Sequence, residues 1–501
     1  MKKEYRSERF GVVWLIMLFM ALANTFTAFA QVKQATVLVN GISCDLEQGI
    51  LKVEFVTPDV VRVQYTGENT FMGNGTDVCL PRAVDNLVRW VYTPNPDCYL
   101  LKSDSLIVRV DLSTASITYL DEEGGLLLQE DQNIPRISEK RVTKQVIYDE
   151  HSKHIEKTAD GDKEIKNVLR YDTIGHTWKY RINFKWQPLE ALYGWGSHME
   201  DYMNLRGKEL YLCQHNLKAM VSVLNSTAGY GLLFDAGCAM MFKDNSEGSF
   251  VELEAAKQID YYFMKGKTMD AVVANYRMLT GNSPMMPLYL FGYIQSKERY
   301  VSSDDLINTL KEYRQRQIPI DMIVQDWNYW PEGQWGNMSM NPKFYPDKRK
   351  LADEIHSLHA KLMISIWPNA MNCPQHEEFK RKGWLLSSTP VYDAFNPLAR
   401  KLYWNYANNE FFDNGFDAWW CDASEPLDAD WTFMKDGYGA DNHRQRWELN
   451  TNLLNSVLGA ERSQLYSLYH AKGIYENQRS TNEDKRVVNL TRSSYAGQQR
   501  Y

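Results

Sequence analysis

Asp422 and Glu425 are two carboxylates that follow an apolar, aromatic run at residues 416–421. Burying a carboxylate among tryptophans costs free energy unless the group is paired or has a chemical role. One interpretation is structural, with Asp422 capping a following helix and Glu425 completing a capping box. The other is chemical, with Asp422 as a reactive carboxylate at the mouth of a strand. The residue types alone leave both interpretations open.

Asp326 is another carboxylate among aromatic side chains, in the segment of residues 324–330. A carboxylate accepts hydrogen bonds from sugar hydroxyls, and aromatic rings cover the apolar face of a sugar. The segment therefore suits a sugar subsite, with hydrogen bonds to loop amides alone as the structural alternative. Arg492, at residues 490–494, is a candidate to bind a substrate oxygen or one of these carboxylates. A structural salt bridge is the competing interpretation for this arginine.

Alternating strands and helices after Met285 must position these side chains. Apolar runs predict five strands, at residues 288–294, 320–325, 361–367, 416–421 and 487–491. Apolar residues at helical spacing predict the helices between them, at residues 302–313, 351–358, 398–406 and 447–458. Strand–helix–strand units in series require a parallel sheet.

The unusual polar residues fall at equivalent places in this pattern. Asp326, Trp367, Asp422 and Arg492 each lie at the C-terminal end of a different predicted strand. A doubly wound open sheet and a (β/α)8 barrel both fit the alternation of elements. The placement favours the barrel, because a barrel gathers its chemistry at the C-terminal ends of its strands.

Residues 31–263 have an apolar pattern with a period of two, in which apolar residues such as Leu51 and Val53 alternate with charged ones. Many short, half-buried strands, separated by turns such as the one at residues 121–125, predict a β-sandwich. Residues 141–166 are charged and poor in large apolar side chains. We therefore expect them to form an exposed excursion from this domain.

Four segments together resemble glycoside hydrolase family 31. Residues 419–426 read Trp-Trp-Cys-Asp-Ala-Ser-Glu-Pro and resemble the nucleophile region of that family, especially of its α-xylosidase-like members. The other segments resemble its Tyr-Gly-x-Gly element, its Gly-Tyr-Gly strand and its fifth-strand element, and lie at residues 193–198, 229–235 and 491–499. The matches occur in order from about residue 193 to residue 501.

The resemblance implies a role for each candidate residue. Asp422 would be the nucleophile that forms a covalent glycosyl–enzyme intermediate, and Glu425 would support it. Asp326 and Arg492 would hold hydroxyls of the transferred sugar, while Trp367 would form a wall of the same subsite. No metal and no organic cofactor is implied. In the family the general acid is an aspartate in a later Trp-(Ser/Gly)-Gly-Asp turn, which the sequence to Tyr501 does not contain.

The resemblance also implies the domain order. A galactose-mutarotase-like β-sandwich would occupy residues 31–270, and an incomplete (β/α)8 barrel of about five strands would occupy residues 285–501. We therefore expect the sequence to be a fragment of a longer enzyme and to be nearly inactive by itself. A genuine short product with an unclosed barrel is the alternative, which is disfavoured because an unpaired apolar sheet edge promotes aggregation.

The expected activity is that of a retaining exo-α-glycosidase that removes terminal α-linked xylose, or glucose, from oligosaccharides. Its substrates would be of the xyloglucan or α-glucan type. An α-glucosidase or α-glucosyltransferase with the same nucleophile is one alternative. A non-catalytic glycan-binding protein is an alternative of another class. No oligomeric state is predicted.

The start of the chain predicts export. Residues 1–30 combine a basic start, a short apolar run and the sequence Ala28-Phe29-Ala30, which is typical of a cleaved signal peptide. We therefore expect a periplasmic, cell-surface or extracellular protein without a membrane span in its mature form. The net charge of −7 and the absence of a dense basic stripe argue against a nucleic-acid partner.

The cysteines predict neither a zinc site nor a disulfide framework. There are seven, scattered along the chain and without a Cys-x-x-Cys pair. A disulfide between Cys79 and Cys98 is left open by the sequence.

Overall fold

The computed structural model describes residues 31–71, 76–81, 87–158, 161–165, 167–387, 389–428 and 443–501. The predicted signal peptide, residues 1–30, lies outside these residues.

The N-terminal part of the described chain is built from twenty strands. They are β1 (Val32–Val37), β2 (Gly41–Leu46), β3 (Ile50–Thr57), β4 (Val60–Thr66), β5 (Trp90–Pro94), β6 (Cys98–Ser103), β7 (Leu106–Asp111), β8 (Ile117–Asp121), β9 (Leu126–Glu130), β10 (Arg136–Tyr148), β11 (His154–Thr158), β12 (Gly161–Ile165), β13 (Val168–Lys185), β14 (Leu192–Ser197), β15 (Glu209–Leu212), β16 (Ala219–Ser226), β17 (Tyr230–Phe234), β18 (Met240–Asn245), β19 (Gly248–Ala256) and β20 (Ile259–Lys265).

These strands form two large antiparallel sheets and one small one. One sheet has the order β1-β2-β3-β4-β20-β17-β16-β14, and the other has the order β15-β18-β19-β13-β9-β8-β7-β6-β5. The sheets share a single core, in which the ring of Tyr119 on β8 stacks on Phe263 of β20 at a centroid distance of 3.9 Å. The sandwich expected from the alternating pattern is therefore present.

The charged stretch after residue 141 continues a long β-ribbon. Strand β10 pairs with β13 along its whole length, and β11 pairs with β12 beyond it. Exposed apolar side chains, among them Val142 and Ile174, show that this ribbon is solvated rather than packed into the core.

The C-terminal part consists of strands and helices in alternation. The strands are β21 (Ile294–Gln295), β22 (Met322–Gln325), β23 (Lys361–Ile366), β24 (Ala418–Cys421) and β25 (Asn489–Thr491). The helices of the described chain are α1 (Met269–Thr280), α2 (Ser303–Gln315), α3 (Lys348–Ser357), α4 (Pro374–Lys382), α5 (Pro397–Glu410), α6 (His443–Leu458) and α7 (Tyr466–Thr481). The five strands are parallel and lie side by side in chain order.

The capping residues explain where several helices begin. The Ser302 hydroxyl accepts a hydrogen bond from the amide of Asp305 and so satisfies an otherwise unpaired donor at the start of α2. Asn396 caps α5 in the same way and is followed by Pro397 at the first helical position.

The strand predicted at residues 288–294 is wrong. Leu288–Phe291 is a 3₁₀ helix, and only Ile294–Gln295 joins the sheet. Leu288 and Phe291 are 85% and 78% exposed, so this apolar run does not have the buried faces of a central strand. A short apolar run does not distinguish these conformations by its period.

The two parts of the chain meet in a continuous apolar interface. Leu465, Leu468, Tyr495 and Ala496 from the C-terminal part belong to the core cluster of the sandwich. All seven cysteines are buried free thiols, so Cys79 and Cys98 are not joined. None of the helices in the described ranges is long and apolar enough to cross a membrane.

Candidate active site

Asp422 is the first residue after β24, at the end of the strand where the C-termini of the parallel strands meet. The residue is 9% exposed, and its Oδ1 accepts a hydrogen bond of 2.8 Å from the amide of Ala423. Ala423 has a φ of 52°, a left-handed conformation that is uncommon outside glycine. The backbone therefore turns sharply directly after this carboxylate.

The capping-box interpretation of this segment does not hold. No helix follows Asp422 in the described residues up to 428, and the next described helix is α6. The Glu425 carboxylate instead accepts two hydrogen bonds of 3.1 Å from Nε of Arg492 and one of 2.7 Å from Nη2.

Arg492 joins the two carboxylates. It follows β25, and its Nη1 lies 2.9 Å from Oδ1 of Asp422 while Nη2 binds Glu425. Glu425 is only 1% exposed, so it needs a cationic partner in the folded protein. The structure thus answers the question left open for Arg492: in this state it forms ion pairs with both carboxylates.

Opposing effects act on the ionisation of Asp422. Burial raises the pKa of this carboxyl above its usual value, as does the charge of Glu425, whereas the Arg492 guanidinium and the Ala423 amide lower it. The pKa of Arg492 is raised by Glu425 and Asp422 even though burial disfavours its charge. Arg492 is therefore a fixed cation that favours the ionised form of Asp422.

Asp326 is the first residue after β22 and faces the same mouth. Its Oδ1 accepts a hydrogen bond of 2.8 Å from the amide of Trp327, as the structural alternative anticipated. Burial, and to a smaller extent the charge of Asp422, raise the pKa of Asp326 to about 6, although hydrogen bonds from Trp327, Ser365 and Trp420 act in the opposite direction. The sensitivity to Asp422 places the two carboxylates in one electrostatic environment.

Trp367 follows β23, and its indole Nε1 donates a hydrogen bond of 3.0 Å to the hydroxyl of Ser365. Its ring contacts Trp335 and Trp330 edge to face, at centroid distances of 5.3 Å and 6.4 Å. Trp327 packs against Trp335 at 5.5 Å. An aromatic cluster therefore lies beside the carboxylates. Trp335 was not anticipated from the sequence, because it lies in a loop without periodicity.

Further polar residues bind the loops around Arg492. The amide of Ser493 donates to the hydroxyl of Ser424 over 3.1 Å, which ties the turn after β25 to the turn after β24. The Ser493 hydroxyl donates to Oε1 of Gln214, a residue of the sandwich domain, over 3.0 Å. Sequence reasoning missed Gln214, since a single buried amide in a loop carries no local signal.

The arrangement combines a buried carboxylate held beside a fixed guanidinium, a second carboxyl that ionises near pH 6, and an aromatic wall. Such a site suits nucleophilic attack by Asp422 on an electrophilic carbon of a polar, ring-shaped substrate. Within the described ranges, no cluster of three or more His, Cys, Asp or Glu side chains is arranged to hold a metal ion.

Comparison with protein-family models identifies the kind of domain that carries these residues. Residues 283–501 match the model described as the glycosyl hydrolases family 31 TIM-barrel domain. The α-xylosidase of Saccharolobus solfataricus is 30% identical over 462 residues, which cover 90% of this chain and 56% of that protein. The chain thus spans little more than half the length of this curated relative.

Solved structures share the fold. A family 31 α-xylosidase from a soil metagenome, complexed with xylose, superposes with a TM-score of 0.72 at 23% identity, covering 94% of this chain and 66% of that one. A family 31 dextranase from Flavobacterium johnsoniae, complexed with isomaltotriose, superposes with a TM-score of 0.74 at 20% identity, covering 94% and 56%.

Proposed function

Because residues 283–501 belong to the TIM-barrel domain of glycoside hydrolase family 31, we propose that the whole protein is a retaining exo-α-glycosidase with Asp422 as its nucleophile. The observation that carries the proposal is the position of Asp422: buried, directly after a parallel strand, and paired with Arg492. A catalytic nucleophile of this kind must be ionised at the start of the reaction, and Arg492 favours that state.

In the proposed reaction, a carboxylate oxygen of Asp422 forms a bond to the anomeric carbon as the bond to the leaving oxygen breaks. The leaving oxygen takes a proton from a general acid. Water then attacks the same carbon, gives a proton back to the conjugate base of that acid, and releases Asp422. Asp326 and Arg492 would bind hydroxyls of the sugar, Trp367 would cover one side of it, and Glu425 would hold Arg492 in place.

The proposed general acid is an aspartate that follows residue 501 in the whole protein. Exposed apolar side chains at both edges of the parallel sheet support the presence of further barrel strands and helices in the whole protein. Leu288 and Phe291 lie beside β21, and Leu490, which is 46% exposed, lies on β25. In the whole protein we expect a closed (β/α)8 barrel behind an N-terminal domain of the galactose-mutarotase type. Without the acid, we expect the 501 residues to be nearly inactive on natural glycosides, because general acid catalysis typically contributes about 10²–10⁴-fold.

A substrate whose leaving group needs no proton tests the nucleophile apart from the acid. 5-Fluoro-α-xylosyl fluoride releases fluoride, and its ring fluorine slows the oxocarbenium-like steps enough for the glycosyl–enzyme to accumulate. We expect mass spectrometry to find the sugar on the peptide that contains Asp422. The absence of any label on a folded protein would contradict the proposal and favour a non-catalytic glycan-binding protein.

The matching 5-fluoro-α-glucosyl fluoride tests the sugar specificity. The relatives include an α-xylosidase and a dextranase, so both xylose and glucose have support as the transferred sugar. The two sugars differ by one hydroxymethyl group, and a pocket discriminates such a group by about 1–3 kcal/mol. We propose xylose, and expect faster labelling by the xylosyl compound; faster labelling by the glucosyl compound would assign the protein to the α-glucosidase type.

We also propose that the protein is exported and that residues 1–30 are removed. The basic start, the apolar run and the Ala-x-Ala pattern support this proposal. N-terminal sequencing of protein recovered from the native host is expected to begin near Gln31. A mature protein that starts at Met1 would exclude cleavage.

A further inference from the structure

Gln214 is a buried amide at the junction between the sandwich and the barrel. It lies between β15 and β16 and is 1% exposed. Its Oε1 accepts hydrogen bonds from the amide of Met220, over 3.2 Å, and from the hydroxyl of Ser493, over 3.0 Å. Its Nε2 donates to the carbonyl oxygens of Met220, over 3.1 Å, and of Ser494, over 2.6 Å. The amide thus links a strand of the sandwich to the two residues that directly follow Arg492.

The main chain of Gln214 is held from the barrel side as well. Its amide donates a hydrogen bond of 2.6 Å to Oε1 of Gln464, and its carbonyl oxygen accepts one of 2.7 Å from Nδ2 of Asn450. Gln464 and Asn450 are fully buried. Gln214 is therefore fixed in place by both domains and is not a mobile surface side chain.

These contacts lead directly to the proposed nucleophile. Ser493, held by Gln214, donates its own amide proton to the hydroxyl of Ser424, which lies two residues after Asp422. The turns that carry Arg492 and Asp422 are thereby joined to each other and to the sandwich domain. Movement of the Ser493 turn would change the distance between the Arg492 guanidinium and the Asp422 carboxylate, now 2.9 Å.

We propose that Gln214 is a positioning residue for catalysis: through Ser493 and Ser494 it holds the Arg492 guanidinium against Asp422, so that the sandwich domain helps to keep the nucleophile ready to react. The inference rests on the proposed role of Asp422. It predicts more than structural support, because loss of the Gln214 contacts should change the ionisation of one particular carboxylate.

The charged groups around Arg492 and Asp422 determine the direction in which the pKa of Asp422 should shift. Asp422 faces Arg492, Glu425, Asp326 and the thiol of Cys421, and Arg492 also faces Asp428. Arg492 is the only cation in this set. If the Arg492 guanidinium were held less firmly beside Asp422, burial and the neighbouring carboxylates would raise the pKa of Asp422 with less opposition. Asp422 would then be ionised only at higher pH.

The test measures the rate of labelling by 5-fluoro-α-xylosyl fluoride as a function of pH, in the protein and in the variant Gln214→Leu. Leucine keeps the size and removes all five side-chain hydrogen bonds, including a long one of 3.5 Å from Nε2 to the carbonyl oxygen of Gln464. The labelling rate falls at acidic pH as Asp422 becomes protonated, and this fall is the acidic limb of the pH profile. We expect its midpoint to lie about one pH unit higher in the variant, and labelling below the midpoint to be about tenfold slower.

Thr177→Val is the matched control. The Thr177 hydroxyl donates a hydrogen bond of 2.8 Å to Glu461 across the same domain junction. The hydrogen bonds of Ser493 and Ser494 in the described structure go to other residues. We expect its acidic limb to match that of the unchanged protein. An equal shift in this control would overturn the inference, because general loosening of the junction would then explain the effect.

An unshifted limb in folded Gln214→Leu would overturn the inference as well. If that variant does not fold, Ser493→Ala takes its place, since it removes one hydrogen bond to the Gln214 side chain and leaves its other four. A shift in the same direction would support the inference, and no shift would overturn it. Failure of the unchanged protein to become labelled is a different result: it would contradict the proposed nucleophile, and this inference with it.

Discussion

Arg492 Nη1 lies 2.9 Å from Asp422 Oδ1 because the residues that precede them, Thr491 and Cys421, are partners in the register of β25 and β24. Parallel strands in this register bring the next residue of each strand to the same edge of the sheet. A cation and a carboxylate that are far apart in the sequence are therefore neighbours by the geometry of the sheet. The same register places Trp367 beside Asp422, since Ile366 is the partner of Cys421.

Variants at the two ends of β24 should separate an effect on the labelling rate from an effect on the free energy of unfolding. We expect Asp422→Asn to lower the rate of labelling by a 5-fluoroglycosyl fluoride roughly 10⁴-fold or more, because the amide is a poor nucleophile. The free energy of unfolding should change by less than about 1 kcal/mol, since Arg492 keeps its bonds to Glu425. Labelling kinetics and urea unfolding measure the two effects.

Asp417→Asn is the control at the opposite end of this strand. The Asp417 carboxylate lies 2.7 Å from Nε2 of His356 and accepts a hydrogen bond of 3.0 Å from the amide of Leu362. Its loss should lower the free energy of unfolding by about 1–3 kcal/mol and leave the labelling rate of the folded protein unchanged. Full labelling of Asp422→Asn would contradict the assignment of the nucleophile.

Removing Arg492 and removing the charge of Glu425 should shift the pH dependence of labelling in opposite directions. Arg492→Met takes away the cation that lowers the pKa of Asp422, so we expect the acidic limb of labelling to move to higher pH. Glu425→Gln removes a negative charge that raises the pKa of Asp422, so its limb should move to lower pH.

The same two variants should also differ in their free energy of unfolding. Arg492→Met leaves Glu425 buried without its cation and should cost about 3–5 kcal/mol of unfolding free energy. Glu425→Gln keeps the pair between Arg492 and Asp422 and should cost less. Urea unfolding at pH 7 measures both costs, and shifts of the two acidic limbs in the same direction would contradict the electrostatic account.

The sequence predicts the positions of the candidate residues better than it predicts the helices and contacts that surround them. Asp326 and Asp422 stand out because each directly follows a short, mostly apolar strand, and the observed strands end at Gln325 and Cys421. Arg492 follows Thr491 at the end of β25, a strand of three residues that is partly exposed. Parallel strands that are buried on both faces give continuous apolar runs, so their ends are visible in the sequence.

Other elements around the site cannot be recognised from an apolar run in the sequence. Helix α7 was not predicted, because it buries polar side chains that hide its apolar face: Gln478 accepts a hydrogen bond of 2.7 Å from the indole of Trp419, and His470 lies 2.8 Å from the hydroxyl of Tyr392. The contact between Gln214 and Ser493 joins two domains and depends on how they pack. Neither spacing nor residue type encodes such a contact locally.

Asp326→Asn should change the pH dependence of stability. The pKa of Asp326 in the folded protein is about 6, above the value of about 3.9 for an unperturbed aspartate, so folding favours the protonated carboxyl. Its contribution to stability is therefore full below about pH 4 and is lost as the pH rises through 6. Since asparagine does not ionise, we expect the variant to match the unchanged protein at pH 4 and to melt at a higher temperature at pH 8.

Asp304→Asn provides the contrast for this measurement. Asp304 is an exposed residue in the first turn of α2, where a negative charge is favourable, so the asparagine variant should melt at an equal or lower temperature at pH 8. Thermal unfolding from pH 4 to pH 8 compares the variants. A melting temperature of Asp326→Asn below that of the unchanged protein at pH 8 would show that ionised Asp326 stabilises the fold.

A buried ion pair in the sandwich should matter for stability and not for chemistry. Arg136 binds Glu130, whose oxygens also accept hydrogen bonds of 2.9 Å from the amide of Ile117 and 3.0 Å from the hydroxyl of Tyr261. The two side chains are 3% and 0% exposed. Arg136→Met would leave the Glu130 charge buried without a cation, and we expect a loss of about 3–5 kcal/mol in the free energy of unfolding.

Adding Glu130→Gln to Arg136→Met should recover part of this loss, because the amide removes the unpaired charge and keeps an acceptor for Tyr261. The exposed pair of Arg89 and Asp104 is the matched control, and Arg89→Met should leave urea unfolding unchanged. Labelling at Asp422 should proceed at the same rate in every folded variant of this set, since the pair lies in the sandwich core and not among the groups that face Asp422. A double variant less stable than Arg136→Met would mean that the hydrogen bonds of Glu130, more than its charge, hold this part of the core together.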